Sequence, residues 1–528
     1  MAAWALLALL ALAPAAAGGM LSFASYYGDH MVLQQKPSGA VVWGHGELGA
    51  VVTLTLSGAS GLVIMEKTAQ VKGPSGTWTT VLNPMDRGGP YALTAEQGLE
   101  NVTLRDIYFG DVWLCSGQSN MAMTVLQVAN ASQELAAAAR YPYVRVFAAA
   151  PARSSVELED LEQIDLPWSI PTAEILGHGN FTYFSAVCWL LGRSLYDALG
   201  TPIGLVEVAW GGTPIEAWSS RRVLQACGLP EDTGSTSPHE HHSGPKTPSV
   251  LWNAMIHPLL NMTLRGVAWY QGEENTLLNT DQYNCTFPAL IADWRWAFHT
   301  GSAGQTEPRL PFGFVQLSTY RHESADDSFP RLRWHQTADL GVVPNARMPS
   351  TFMAVAMDLG DEHSPYGRFP EAGSRCSPGQ AALTGDGLQL QQGAGRGSSQ
   401  PAVPRHRALG VPIPARLHQP AILRTHAEPG SQRHLRVVRG ELGEAGGGAG
   451  AAWPEWRLRE HRIHLVVGLM ALHLLLHNGD LHNALNRVRV PQDNCPGKGK
   501  QRSVGCCSHR RGTLPSAPLP RPSPIKWR

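Results

Sequence analysis

The chain contains 528 residues, with 42 basic side chains, 42 acidic side chains and eight cysteines. A chain of this length can bury a sizeable core unaided, so the sparse cysteines exclude a small scaffold built on disulfides. The zero formal charge is a cancellation, because residues 1–367 carry a net charge of −14 and residues 368–528 carry +14. Such an asymmetry predicts a boundary near residue 367.

The N-terminal residues have the pattern of a signal peptide. An uncharged apolar run at residues 2–14 precedes three alanines, and it is shorter than the roughly 20 residues of a membrane-spanning helix. Asn-x-Ser/Thr sites follow at Asn101, Asn130, Asn180, Asn261 and Asn284. We therefore expect a signal peptide at residues 1–17 and an N-glycosylated, secreted or lysosomal protein without a membrane span.

Residues 18–106 predict a β-rich N-terminal domain. Short strand-like runs are separated by Gly and Pro turn signals, at intervals typical of a small β-sandwich. These runs lie at residues 41–43, 51–56, 77–82 and 91–94.

From about residue 107 the pattern changes to alternating strands and helices. Strand-like runs lie at residues 111–115, 144–148, 204–209 and 266–270, with helical stretches from about residue 120 and near residues 185–199. This alternation predicts an α/β domain at residues 107–367, in which helices cover both faces of a parallel sheet.

Residues 368–528 differ in composition, with scattered arginines, no tyrosine and Gly- and Pro-rich runs. The composition is typical of a largely irregular, disordered tail. A basic arm for nucleic acid or an anionic membrane is the alternative, but the arginines are not clustered, so we expect no nucleic-acid partner.

Four cysteines lie in the well-patterned part of the chain: Cys115, Cys188, Cys227 and Cys285. None belongs to a close Cys-x-x-Cys pair, which disfavours metal ligation. Which of them form disulfides cannot be read from the sequence.

The sharpest local feature is the string CSGQSNM at residues 115–121, which directly follows the apolar strand at residues 111–114. A serine at a strand-to-helix turn can present its hydroxyl at the carboxyl end of a sheet, where backbone N–H groups face developing negative charge. The string differs from the Gly-x-Ser-x-Gly elbow of α/β-hydrolases, because a methionine holds the last position. Ser119 is therefore a candidate nucleophile. The alternative is that Gly117 forms a turn and that Ser119 or Asn120 caps the helix.

Two further polar turns follow predicted strands. Gly211 and Gly212 come after the third strand of the α/β part, and paired glycines let a backbone N–H approach a substrate oxygen. Asn275 ends the string QGEEN after the fourth strand, where its amide could add a donor to an oxyanion hole. Glu273, in the same string, could orient a catalytic group or satisfy backbone donors. Because parallel strands end at one edge of a sheet, we expect the three turns to lie together.

These three blocks resemble the Ser, Gly and Asn blocks of the SGNH hydrolases, over about residues 20–367. Longer strings resemble the sialate O-acetylesterase family, in the order FGDVWLCSGQSNM, WGGTPIEAWSS, LWNAMIHPL, WYQGE, FPALIADWR and RWHQTADLG. The resemblance implies a three-layer α/β/α domain that uses no metal or cofactor. Its implied activity is the removal of O-acetyl groups from sialic acids, free or on glycoconjugates.

The resemblance also implies a role for each block. Ser119 attacks the ester carbonyl and forms an acetyl-enzyme. The backbone N–H of Ser119 and that of Gly211 or Gly212, together with Asn275, hold the oxyanion. A histidine that is oriented by an aspartate takes the serine proton.

The resemblance stops before that histidine. The family places it in an Ile-His-Pro-like string shortly after a Met-Asp-Leu-Gly-Asp segment, whereas this chain has MDLGDEHSPYG and then departs at Arg368. Because composition and charge change at the same place, we interpret the remainder as the product of a shifted reading frame or an alternative exon. Asp361 and His363 are the candidates for the orienting acid and the base within the matched part.

Two other functions stay open at this point. One is a catalytically impaired glycan-binding protein whose cleft uses Trp210, Trp218, Trp269 and Tyr270, although aromatic residues by default belong to the core. The other is an SGNH esterase that acts on another acetylated carbohydrate. Turnover of an acetylated sialic acid, and its loss in a Ser119→Ala variant, would separate these functions.

Overall fold

The computed structural model describes residues 19–128, 130–231, 244–318 and 325–357. The predicted signal peptide, the predicted tail, Asp361 and His363 therefore lie outside the described residues. Within the described ranges, no helix has both the length and the apolar character needed to cross a bilayer.

The N-terminal part is built from strands, as predicted. They are β1 (Ser22–Phe23), β2 (Val32–Gln34), β3 (Val41–His45), β4 (Val51–Gly58), β5 (Val63–Gln70), β6 (Thr77–Val81) and β7 (Gly88–Gln97). β1, β3 and β6 form a small antiparallel sheet, and β4 pairs antiparallel with β5 and β7. The four predicted strands are confirmed as β3, β4, β6 and β7. The short strands β1 and β2 and the strand β5 were not predicted, and most side chains of β5 are exposed.

One long strand, β8 (Glu100–Gly117), joins the N-terminal part to the rest. Its first half pairs antiparallel with β7, and its second half, from Asp111 onward, pairs parallel with β11 (Ile203–Ala209). The domain boundary expected between residues 106 and 107 thus falls inside a strand. The side chains in the first half of β8 are partly exposed, and those in the second half are buried. This difference in burial explains why the sequence pattern changes near residue 107.

The remaining elements alternate along the chain. The strands are β9 (Val144–Ala149), β10 (Ile164–Ser169), β12 (Gly266–Tyr270), β13 (Phe312–Gln316) and β14 (Thr351–Val355). The helices are α1 (Ser119–Ala122), α2 (Ala131–Ala137), α3 (Ala173–Leu176), α4 (Ala186–Leu199), α5 (Arg221–Ala226), α6 (Tyr283–Gly301) and α7 (Ser328–His335). The order across the sheet is β10-β9-β11-β8-β12-β13-β14, with every neighbouring pair parallel except β10 and β9.

Alternate side chains of β8 point to opposite faces of this sheet. Val112 and Leu114 pack in one buried cluster with side chains of α6, and Trp113 and Cys115 pack in another with side chains of α4. Disulfides reinforce both sides: Cys115 is bonded to Cys188 in α4, and Cys227 is bonded to Cys285 in α6. The structure is therefore a mixed α/β fold around a large, mainly parallel sheet.

Candidate active site

Ser119 lies directly after the carboxyl end of the central strand β8, as the first residue of α1. The turn depends on Gly117, which has a φ of 148°. A Cβ at this position would lie 2.0 Å from the carbonyl oxygen of Tyr270 at the end of β12. Only glycine lets the two strand ends approach this closely.

The hydroxyl of Ser119 has no structural task in the described part of the chain. The residue is only 4% exposed, and its Oγ has no hydrogen-bond partner. Gln118 is the N-cap residue of α1, and no side chain caps that helix. The capping alternative for Ser119 and Asn120 is therefore wrong. A buried hydroxyl without a partner costs stability, which is expected at a functional site.

The turn after β11 lies against Ser119. The N–H of Trp210 donates to the carbonyl oxygen of Gly117 over 3.1 Å, and a Cβ on Gly211 would lie 3.3 Å from the Cβ of Ser119. Gly212 has a φ of 69°, in the left-handed region that favours glycine. A side chain on Gly211 would press on the candidate nucleophile.

Gln118 binds the loop after β12 to the serine turn. Its N–H donates to the carbonyl oxygen of Tyr270 over 3.0 Å. Its side-chain oxygen accepts from the N–H groups of Gly272 and Glu274, at 3.2 and 3.3 Å. The three turns expected at one edge of the sheet therefore meet, as predicted.

Asn275 is fully buried and its amide is fully engaged. Its Oδ1 accepts from the N–H of Ile215 and from Nε2 of Gln271, each at 2.8 Å. Its Nδ2 donates to Oε2 of Glu216 at 2.9 Å and to the carbonyl oxygen of Leu278 at 3.1 Å. Neither amide hydrogen is left for an oxyanion in this arrangement. The observed contacts instead hold the turn after β11 against the loop after β12, and the oxyanion role of Asn275 stays a prediction.

Glu273 is a buried carboxyl group in the loop after β12. Burial raises the pKa of its carboxyl group to about 7, and the neighbouring charge of Glu274 adds to the effect. Asn120 donates its amide hydrogen to Oε1, whereas Oε2 is buried without a hydrogen-bond partner in the described structure. The carboxyl group therefore gains or loses its proton close to neutral pH.

No imidazole of the described residues bonds to the Ser119 hydroxyl. The Nδ1 atom of His335 lies 2.6 Å from Oδ1 of Asp339, and that of His257 lies 2.8 Å from the carbonyl oxygen of Leu158. The candidates His363 and Asp361 lie outside the described residues, so their roles stay predictions.

Three amide side chains, those of Gln118, Asn120 and Gln271, hold the turns in place. Of these, only Asn120 was predicted to have a local role, as a helix cap. Gln271 donates to the carbonyl oxygen of Thr213 at 3.1 Å, in addition to Asn275. All three belong to the strings GQSN and QGEEN, so the amides are visible in the sequence, but the pairing between the two strings is not.

Comparisons with known proteins agree with this architecture. A family model described as carbohydrate esterase, sialic acid-specific acetylesterase matches residues 109–364. Human sialate O-acetylesterase is 59% identical over 366 residues, which cover 68% of this chain and 69% of the human protein. The rat sialate O-acetylesterase is 56% identical over 392 residues, which cover 69% of this chain and 72% of the rat protein.

A solved structure is similar as well. A carbohydrate acetylesterase from Xanthomonas citri aligns with a TM-score of 0.53 and 28% identity, over 64% of this chain and 69% of that chain. Fold, grouped turns and family model together define a carbohydrate esterase. The identity to the human and rat proteins is specific enough to place it further: the chain belongs to the sialate O-acetylesterase family.

Proposed function

We propose that this chain removes O-acetyl groups from sialic acids, with Ser119 as the nucleophile. The observation that carries the proposal is the unpartnered hydroxyl of Ser119, held at the end of β8 where three loops meet. The names of the human and rat relatives supply the substrate class.

The chemistry follows from the positions of the groups. The Ser119 oxygen attacks the acetyl carbonyl carbon, the sugar hydroxyl leaves with a proton, and water then releases acetate from the acetyl-enzyme. The backbone N–H groups of Ser119 and of Gly211 or Gly212 are our candidates for stabilising the oxyanion, and one such donor lowers the barrier by about 3 kcal/mol. Asn275 can donate to the oxyanion only if its amide group gives up its hydrogen bond to Glu216 or to Leu278.

The proton of Ser119 needs an acceptor. We assign this role to His363, oriented by Asp361, because these residues lie closest to the position at which the family carries its histidine. The parallel order of the strands around β8, with α4 and α6 on opposite faces, supports an SGNH-type three-layer fold.

The same proposal places the protein in the secretory pathway, as a lysosomal or secreted glycoprotein. The Asn101 and Asn180 sites are exposed, as a glycan requires, whereas Nδ2 of Asn284 bonds to Asp339 and must release this partner to be glycosylated.

The proposal is tested by comparing two serine variants. Ser116 and Ser119 are both buried, and both have hydroxyls without a partner in the described structure, but only Ser119 is placed in the catalytic machinery. We expect Ser119→Ala to abolish release of acetate from a 9-O-acetylated sialic acid, and Ser116→Ala to keep it.

The other outcomes separate the alternatives. Hydrolysis of an aryl acetate without hydrolysis of the sialic acid ester would point to another carbohydrate substrate. Binding without any turnover would point to an impaired, glycan-binding form. Equal activity of the Ser119→Ala variant and the parent would overturn the proposal.

A further inference from the structure

A basic cleft lies at the edge of the molecule formed by α6 and by the segments that lead into β13 and β14. It has a volume of about 310 Å³ and is lined by Arg295, Trp296, His299, Arg309, Arg347 and Pro349, among others. We refer to it as the arginine cleft. Ligand sites commonly begin at about this size.

The arginine cleft is separate from the candidate active site. Ser119 follows the carboxyl end of β8, whereas Arg309 and Pro349 precede the amino ends of β13 and β14. Because β8, β12, β13 and β14 are parallel, these positions lie at opposite edges of the sheet. A ligand in this cleft therefore does not occupy the site of Ser119.

The floor of the cleft is a fixed cation. Arg295 is only 6% exposed, and its guanidinium donates to the carbonyl oxygens of Leu310, Pro349 and Ser350 at 2.8, 2.7 and 2.9 Å. Burial, together with the charge of nearby Arg309, lowers the pKa of Arg295 to about 10, so that it stays protonated at neutral pH.

Two exposed arginines, Arg309 and Arg347, also line the cleft. Arg347 donates to the carbonyl oxygen of Asn284 at 2.7 Å, and Arg309 makes no side-chain hydrogen bond in the described part of the chain. Among the described residues, no ion pair joins Arg295, Arg309 or Arg347 to a carboxylate. Three guanidinium groups without a direct ion pair among the described residues thus share one cleft, and the charge of Arg347 also lowers the pKa of Asp339. Residues 1–367 as a whole carry a net charge of −14, so this concentration of positive charge is local.

An aromatic ring completes the lining. Trp296 is 56% exposed, and the guanidinium of Arg222 lies 4.8 Å from the centre of its ring. An exposed indole beside arginines offers an apolar surface for a flat or ring-shaped ligand, and guanidinium groups bind carboxylates in a two-pronged geometry. The lining therefore fits a ring that bears a carboxylate.

We propose that the arginine cleft is a second, non-catalytic site that binds an acidic sugar, with Arg309 and Arg347 on the carboxylate and Trp296 against the ring. The choice of sialic acid as this sugar rests on the proposed function. The preference for a ring that bears a carboxylate rests only on the charge and the shape of the cleft. Such a site would hold one sialic acid of a branched glycan while another is at Ser119.

The test uses the full chain and the methyl α-glycoside of N-acetylneuraminic acid, which has no acetyl ester to be hydrolysed. Binding is measured by calorimetry for the parent and for Arg309→Ala, Trp296→Ala and the control Arg105→Ala, whose arginine is exposed in the N-terminal part. We expect Arg309→Ala to weaken binding at one site at least about tenfold, because the variant loses a charge-assisted hydrogen bond to the carboxylate. We expect Trp296→Ala to weaken the same site and Arg105→Ala to leave it unchanged.

A second readout separates this inference from the proposed function. Turnover of an aryl acetate should be the same in Arg309→Ala and the parent, and a Ser119→Ala variant should keep the Arg309-dependent binding. Equal affinities in Arg309→Ala and Arg105→Ala would overturn the inference, whatever the esterase assays show. Equal binding of neutral methyl galactoside would overturn it as well, because the carboxylate would then have no part in recognition.

Discussion

Gly117 is the residue at which the backbone geometry of the candidate site is most constrained. A Cβ there would collide with the carbonyl oxygen of Tyr270, which accepts the N–H of Gln118 at 3.0 Å. A side chain would therefore separate β8 from β12 and shift Ser119 relative to the other two loops.

We expect Gly117→Ala to lower kcat on an O-acetylated sialic acid roughly 100-fold, since a displacement of about 1 Å at a catalytic group has effects of this size. Gly98→Ala is the matched control. Gly98 also has a positive φ, of 60°, but a Cβ there meets nothing within 4 Å. The control should lose about 1 kcal/mol of stability and keep its activity. Full activity in Gly117→Ala would show that the close approach of the strands is dispensable.

Glu207 is a second residue whose environment changes its properties, because burial shifts the pKa of its carboxyl group. It lies on β11 and accepts the N–H of Ser185, the N-cap residue of α4, yet burial raises its pKa from 4.5 to about 8. Between these two pH values the folded chain keeps a proton that the unfolded chain loses. The free energy of unfolding therefore falls as pH rises through this range.

Glu207→Gln retains the acceptor oxygen and removes the titration. We expect the variant to match the parent near pH 4.5 and to exceed its unfolding free energy by on the order of a few kcal/mol at pH 8, because each pKa unit is worth about 1.4 kcal/mol. Urea unfolding at several pH values measures the difference. The exposed Glu66, changed to Gln, should show no such trend. A Glu207→Gln curve parallel to that of the parent would contradict the prediction.

At the scale of elements, the two disulfides join helices to different parts of the fold. Cys115–Cys188 joins the end of β8 to the first turn of α4, and Cys227–Cys285 joins the end of α5 to the start of α6. The two close loops of similar length, with sequence separations of 73 and 58. Their contributions to the unfolding free energy should therefore be similar, at about 4 kcal/mol each in the chain-entropy model.

Their effects on function should differ. Cys115 lies two residues before Gly117, so we expect the Cys115→Ala/Cys188→Ala pair to lower both stability and esterase activity. The Cys227→Ala/Cys285→Ala pair should lower stability alone. Denaturant midpoints and acetate release, measured below the unfolding transition of both variants, test this. Equal activities in the two variants would mean that the end of β8 is held without its disulfide.

At the scale of the whole molecule, β8 makes the N-terminal strands and the central sheet a continuous structure. In the described part of the chain, eleven strands form one sheet around it. The last described strand is β14, and the family model ends at residue 364. The region of family likeness therefore ends close to the change of charge at residue 367.

A chimera tests whether the catalytic base lies within residues 1–367 or in the C-terminal segment of the family. Residues 1–367 are joined to the C-terminal segment of the human relative in place of residues 368–528. Because the proposed function assigns the base to His363 within residues 1–367, we expect kcat to stay close to that of the parent. A rise of about 100-fold or more, the usual contribution of general base catalysis, would place the base in the human segment and overturn the assignment to His363. The chimera with Ser119→Ala should be inactive. An unchanged kcat would place the base within residues 1–367, and His363→Ala in the parent would then be the variant to measure.

The sequence by itself determined the features that depend on neighbouring residues. Hydrophobic runs and Gly or Pro turns predicted the strands β3, β4, β6, β7, β9, β11 and β12, because strand period and turn chemistry are local properties. The alternation of strands and helices predicted the parallel sheet, and so the meeting of three loops at one edge.

Only the tertiary structure decided which distant groups pair. The bonds of Asn275 to Ile215 and Glu216, the disulfides and the arginine cleft join residues that are far apart in the chain. The raised pKa values of Glu207 and Glu273 arise from burial by such distant residues. Burial and hydrogen-bond partners are properties of the packed fold, and no local pattern encodes them. For this reason the serine was visible in the string GQSN, whereas the bonds of the Asn275 amide to Ile215 and Glu216 were not.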